Sequence, residues 1–293
     1  MRKLPFLLVL CLCLFLGAAQ AEEITAFGQQ FAKDAQVIDL GSTQLDNVAD
    51  LTALLAQLPQ VHTVNLYESK LSREDMALLF DGYPNIFFGF TIRIAEHTIR
   101  TDQTAFSTLH NNKMPTHSSE DFAPLRFCTK LQALDLGHNK ITNISFIENL
   151  TDLRVLILAL NQIEDITPLK NLDKLEYAEL FRNKIKDISV LSDMPLLDLN
   201  LCYNYISDLS PLYDIKTLER LWLYKSTGYG SSAAVPRDTL NSLKESLPNA
   251  YIDAKTFSTG GGWREHPRYF VIFDIFKNAE YKPFEPMEGP WKL

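Results

Sequence analysis

Leu131-Gln-Ala-Leu134-Asp-Leu136-Gly-His-Asn139-Lys-Ile141 decides the fold because it recurs. The same spacing returns as Leu153…Leu156-Ile-Leu158…Asn161-Gln-Ile163, as Leu175…Ala178-Glu-Leu180…Asn183-Lys-Ile185, and as Leu196…Leu199-Asn-Leu201…Asn204-Tyr-Ile206. The asparagines are 22, 22 and 21 residues apart. A fifth copy starts at Leu218…Leu221-Trp-Leu223, with Ser226 in the asparagine's place. Tandem self-similarity at such a period marks a solenoid, in which each coil buries its apolar face only against its neighbours. In the Leu-x-Leu core the side chains alternate, so the leucines point inward and the residues between them face out. The spacing predicts one parallel strand per repeat. Asn139, Asn161, Asn183 and Asn204 fall where each coil leaves its strand, and their amides can satisfy loop backbone groups that would otherwise be buried unpaired.

The pattern L-x-x-L-x-L-x-x-N-x-L resembles the leucine-rich-repeat family. The second half of each repeat is also regular: Asn143-Ile-Ser145, Asp165-Ile-Thr167, Asp187-Ile-Ser189 and Asp208-Leu-Ser210, with Pro168 and Pro211 following two of them. Ser and Thr there suit helix N-caps, and Pro suits the first helical position. Short 3₁₀-like convex turns are expected. This Asp-Ile-Ser/Thr-Pro-Leu pattern resembles the internalin type of bacterial secreted repeat. Asn143-Ile-Ser145 and Asn149-Leu-Thr151 also fit the N-glycosylation motif, which we read as coincidence with the repeat.

Upstream, Val37-Ile-Asp-Leu40…Leu45 and Val64-Asn-Leu66…Leu71 keep the strand spacing, with Thr43 and Ser69 replacing Asn. Helical periodicity over Val48 to Leu58 and Arg73 to Phe80 predicts longer convex helices, which resemble the ribonuclease-inhibitor subtype. Phe88 to Ile94 and His97 to Thr101 read as a β-hairpin turning near Ala95-Glu96. Ser107 to Asp121 is polar and irregular, with His110, Asn111, Asn112 and His117, and reads as a mobile loop. Phe122 to Phe127 resumes the repeat phase. After Gly228, Asp238 to Leu247 reads as a short helix and Pro248 to Asp253 as a run into a last strand. Thr256 to Gly262 is a Ser/Thr/Gly linker. Trp263 to Leu293 is too aromatic for a disordered tail and is expected to cover the solenoid's end. The whole arrangement resembles a group of secreted leucine-rich-repeat proteins of Gram-positive gut bacteria, through Leu134-Asp-Leu-Gly-His138, Leu199-Asn-Leu-Cys-Tyr203 and Gly262-Trp-Arg-Glu-His-Pro267. That likeness implies architecture, not function.

The expected organisation is therefore a signal peptide at 1–21, an N-terminal cap with degenerate repeats at 22–85, and a hairpin and polar-loop insertion at 86–121. Regular repeats follow at 122–228, then a capping repeat and aromatic tail at 229–293. The fold class is α/β, a right-handed leucine-rich-repeat solenoid with a parallel concave sheet and short convex helices.

Arg2 and Lys3, the uncharged apolar run Leu4 to Leu16 and the small-x-small site Ala19-Gln20-Ala21 read as a secretory signal cleaved after Ala21. The run is too short to span a bilayer, and no later stretch is long enough. The predicted location is extracellular. The formal net charge is −8; without Arg2 and Lys3, 26 basic residues face 36 acidic ones. That balance argues against nucleic acid and against anionic membrane surfaces as partners. Cys128 and Cys202 are too far apart in the repeat register to bridge.

No catalytic motif is present: there is no H-x-x-x-H or H-E-x-x-H pair, no G-x-S-x-G and no P-loop. Gly260-Gly-Gly262 follows no clear strand and reads as a hinge. No enzyme, cofactor or metal is expected. The positive signal lies on the strands' outward positions, which carry Tyr177, Phe181, Arg182, Tyr203, Trp222 and Tyr224, with Ile157 and Leu160 beside them. Asp135, Glu179, Asp198, Arg220 and Lys225 surround these. Aromatics interleaved with arginine are the composition of recognition surfaces. The expected function is noncatalytic binding of an extracellular protein or glycan on the concave face. Two alternatives stay open: an envelope-associated assembly protein, and a tail or hairpin that folds over this face and takes its aromatics as core.

Overall fold

A computed structural model describes residues 22–108, 116–227, 234–257 and 259–286. The signal segment 1–21 lies outside these residues, as do His110, Asn111 and Asn112 of the polar segment. The described chain opens on a hairpin absent from the sequence reading, β1 (Glu23–Ala26) and β2 (Gln29–Ala32), turned by Phe27 and Gly28 at φ 51° and 72°. Two positive φ values match the twist of a tight hairpin.

β3 (Val37–Asp39), α1 (Val48–Leu55), β4 (Thr63–Leu66), α2 (Arg73–Gly82) and β5 (Phe87–Ile94) form the first coils, with β3, β4 and β5 parallel. Asn47 and Ser72 cap the helices by accepting from the Ala49 and Asp75 amides. The predicted hairpin forms: β6 (His97–Arg100) pairs antiparallel with the second half of β5, and Ala95 takes φ 52° in its turn.

β7 (Ala105–Ser107) corrects the sequence reading, which began an irregular loop at Ser107. It pairs in parallel with a repeat strand and opens the main sheet. α3 (Ser119–Phe122) and a 3₁₀ turn, Ala123–Phe127, follow. Then come β8 (Ala133–Asp135), β9 (Val155–Ile157), β10 (Tyr177–Glu179), β11 (Asp198–Asn200), β12 (Arg220–Trp222), α4 (Arg237–Ser246) and β13 (Tyr251–Asp253). β7 to β13 lie in chain order in one seven-stranded sheet, parallel throughout. This is a leucine-rich-repeat solenoid. Leu134, Leu136, Leu156, Leu158, Leu180, Leu199, Leu201, Leu221 and Leu223 form its buried column.

The asparagines act as inter-coil staples. Asn161 Nδ2 donates to Leu158 O of its own coil (3.0 Å) and to Leu136 O of the preceding one (2.9 Å), while its Oδ1 accepts from Ile141 N (3.0 Å). Asn183 and Asn204 repeat the arrangement one and two coils on. In the fifth copy Ser226 Oγ keeps one such bond, to Leu223 O. The residue before each of these positions is left-handed: His138, Leu160, Arg182, Tyr203 and Lys225 have φ between 50° and 62°. None is glycine, so each carries a conformational cost. The first four are held by a second ladder of amide bonds to the next coil, such as Tyr203 N to Tyr224 O at 2.9 Å.

The convex turns are 3₁₀, as predicted, but their caps differ. Ser145, Thr167, Ser189 and Ser210 are the first helical residues. Their amides are held by Asn143, Asp165, Asp187 and Asp208 Oδ1, each at 2.8 Å. An Asx side chain reaches an amide two residues on more easily than a hydroxyl can reach its own turn. Cys128 and Cys202 are both buried and free.

Candidate functional site

The tail was expected to cover the solenoid's end; instead it crosses the concave face. α5 (Pro267–Asn278) begins at His266, whose Nδ1 accepts from Arg268 N, and lies against β7 and β8. Beyond it, Tyr281 N donates to Thr104 Oγ1, and Phe284 packs near Tyr177. The glycine turn before α5 is docked: Trp222 Nε1 donates to Gly260 O at 3.0 Å, and Gly261 takes φ 64°. A side chain at Gly261 would also press on Asp253 Oδ2.

A second hydrophobic core results, on the opposite side of the sheet from the leucine column. Trp263, Ile272 and Ile275 from the tail pack on Ala105, Ala133, Val155, Tyr177, Phe181 and Trp222. Trp263 is central. Its ring centroid lies 5.0 Å from Trp222 and 5.5 Å from Tyr177, and its Nε1 donates to Glu179 Oε1 at 2.8 Å. Small residues at Ala105, Ala133 and Val155 leave room for α5; without that cover, the large apolar surface on β10 and β12 would face water.

Buried charges set the register of tail on sheet. Arg220 makes a bidentate pair with Asp198, both bonds 2.8 Å, with neither side chain exposed. Arg268 of α5 reaches the same Asp198 oxygen at 2.8 Å and pairs with Glu219, and Arg220 also donates to Trp263 O at 3.1 Å. Planar guanidinium groups hold such a carboxylate in one orientation. Removing one partner would strand a buried charge, so the cluster enforces a single seating.

Three of the six sequence-selected residues are therefore core. Tyr177, Phe181 and Trp222 are buried beneath the tail, contrary to their expected exposure. The other three stay accessible along the edge where the coils leave their strands. Arg182 is exposed; Tyr203 and Tyr224 are half-buried. They form a ladder across three coils. The Arg182 guanidinium lies 4.8 Å from the Tyr203 ring centroid, the Tyr203 and Tyr224 rings meet edge-on at 5.3 Å, and Lys225 Nζ lies 5.5 Å from the Tyr224 ring. Arg182, Tyr203 and Lys225 are three of the left-handed residues, and the backbone ladder holds the first two. Lys225 appeared in the sequence only as a flanking charge. Its equivalence to Arg182 and Tyr203 was legible there from the position before Asn or Ser.

Among the described residues no helix is long and apolar enough to cross a membrane. Residues 129–171 match the family model for Leucine Rich repeats (2 copies). No curated protein matches the chain. Among solved structures, the chain is similar to an internalin of Listeria monocytogenes, with 22% identity over 75% of this chain and 56% of that one and a TM-score of 0.39. It is similar to internalin C2 of the same organism, with 20% identity over 79% of this chain and 87% of that one and a TM-score of 0.40. A leucine-rich-repeat protein of Leptospira interrogans gives 18% identity over 84% and 66%, with a TM-score of 0.36. The chain thus spans just over half the length of the first of these.

Proposed function

We propose that this protein is a secreted, noncatalytic recognition module that binds an extracellular protein through the edge ladder of Arg182, Tyr203, Tyr224 and Lys225. The observation that supports it is the ladder itself: two edge-on tyrosines with a cation at each end, accessible on one side and carried by successive coils. Rigid aromatics beside arginine bury area at small entropic cost, and a few such residues dominate binding energy. Covering the centre of the sheet moves the binding surface from the whole concave face to its rim.

The test is capture from the native extracellular environment by the mature chain, compared with the double variant Arg182→Ala, Tyr224→Ala. Loss of two anchors should weaken capture by about tenfold or more, while Lys170→Ala on the convex side leaves it intact. Equal capture by all three proteins would refute the surface. Release of the captured partner by glycosidase treatment would move the partner class to glycans.

A second reading, an assembly protein of the envelope, draws on Phe270 and Phe273. Both are on α5 and 62% and 65% exposed, Phe273 at the edge of the space between α5 and the sheet. Sedimentation of the mature chain decides it: a concentration-dependent oligomer abolished by Phe270→Ser favours assembly, and a monomer favours recognition.

A further inference from the structure

The tail does not seal against the whole sheet. Between β8, β9, β10 and α5 it leaves a cavity of about 510 Å³, within the range of small-molecule sites. Its floor is the sheet, where Asp135 and Glu179 flank Ile157 on alternate strands. Phe181, Tyr269 and Phe276 supply aromatic wall, and Arg264 and Lys277 stand exposed at the mouth.

The two carboxylates are the unusual feature. Each side chain is almost wholly buried, at 5% exposure. Among the described residues neither makes an ion pair, unlike the buried Asp198 with its two arginines. Asp135 accepts from Gly137 N (3.0 Å) and Ser107 Oγ (3.1 Å). Both donors to Glu179, the Tyr177 hydroxyl and Trp263 Nε1, meet Oε1; among the described residues none reaches Oε2, and Glu179 lines the cavity. Burial raises the pKa of both groups, Asp135 to about 6, with Glu179's negative charge adding to the rise. The Arg264 and Arg220 charges act on Glu179 only from a distance and offset part of its burial. Buried acceptor-only anions with no direct ion pair are costly, so the inner end of the cavity favours a cationic donor.

We infer that this cavity binds a small primary amine as its ammonium ion, seated over Ile157 between Asp135 and Glu179, with an apolar body against Phe181, Tyr269 and Phe276. A bare metal ion suits the site poorly: among the described residues no third His, Cys, Asp or Glu joins the pair to complete a coordination shell. An ammonium group brings three donors and needs no such shell. Aromatic faces attract its charge and cover its carbon body. Arg264 and Lys277 at the mouth set the polarity: the cationic end goes inward, and an anionic substituent at the far end is tolerated. The site exists only with the tail docked and is separate from the edge ladder, so the two proposals stand or fall independently.

The probe is 2-phenylethylammonium, titrated into the mature chain by calorimetry at pH 7.5, with 2-phenylethanol as the neutral isostere. Binding of the ammonium with a Kd below about 1 mM is expected, together with weaker or no binding of the alcohol, since only the amine meets the carboxylates as a charge. Glu179→Gln keeps an Oε1 acceptor for Trp263 and should lower the affinity at least about tenfold, as should Asp135→Asn. Hydrogen exchange should show added protection over Tyr269 to Lys277 in the complex. If Glu179→Gln fails to fold, Asp135→Asn and the exchange footprint carry the test. No ammonium binding at about 10 mM, equal affinity for the alcohol, or unchanged affinity in a folded carboxamide variant overturns the inference.

Discussion

Replacing Trp263 with alanine tests the seating of the tail directly. The indole is fully buried, flanked by Tyr177 and Trp222, with the Arg220 guanidinium 4.5 Å from its ring centroid. Truncating a buried tryptophan of this kind costs about 3–5 kcal/mol. Loss of the 2.8 Å bond leaves Glu179 without one of its two donors, adding about 1 kcal/mol or more. The total loss in global stability is bounded by the free energy that docks the tail, because the tail can open as a unit while the leucine column stays packed. Two readouts are therefore needed. Urea unfolding followed by far-UV circular dichroism should show a lower midpoint. Hydrogen exchange should show α5 losing its protection while amides held by the asparagine staples, such as Ile163, keep theirs. Phe270→Ala, on the exposed side of the same helix, should stay within about 0.5 kcal/mol. Unchanged midpoint and unchanged α5 exchange in Trp263→Ala would refute the docking of the tail through this residue.

Asn161→Ala removes one donated and one accepted bond to the preceding coil and one donated bond within its own, and should cost about 1–3 kcal/mol. Lys170→Ala, exposed on the convex side, should move the urea midpoint by no more than about 0.5 kcal/mol; equal midpoints for the two variants would deny the asparagines a structural role. His266 is fully buried, and its pKa is lowered to about 4, first by burial and then by the neighbouring Arg220 charge. Since its folded pKa lies below the unfolded value, its contribution is complete above about pH 6.5 and is lost as the pH falls through 4. That loss is about 3 kcal/mol at most. His266→Asn keeps a side-chain acceptor for Arg268 N and does not titrate, so its urea midpoint should fall less than the wild type's between pH 7 and 4.5. Asp135 acts in the opposite sense: its raised pKa of about 6 makes the fold gain stability on acidification. Comparing wild type with His266→Asn cancels this contribution, and identical slopes would show that His266 is not held neutral.

The repeats, the asparagine staples, the 3₁₀ turns and the β5–β6 hairpin were legible because each is encoded locally. A period of about 22 residues brings Leu134, Leu156 and Ala178 into register without reference to anything beyond the adjacent coil. The three candidate residues that remain accessible, Arg182, Tyr203 and Tyr224, followed from the same template. What the template left open was whether water or protein lies over the sheet. β7 was missed for a related reason: Ala105–Ser107 has no leucine repeat around it, and only pairing with β8 makes it a strand.

By itself, then, the sequence determined the solenoid and which side chains stand on each face of its strands, because alternation and period are properties of neighbours in the chain. Only the tertiary structure decided that Tyr177, Phe181 and Trp222 are core and that Asp135 and Glu179 line a cavity. Those outcomes depend on contacts such as Trp263 to Glu179 and Tyr281 to Thr104, which join residues 84 and 177 positions apart. Such contacts are selected by the fit of an indole between two rings and by two arginines converging on one buried aspartate. Both are complementarities of shape and charge between distant segments, and they leave no periodic trace along either one.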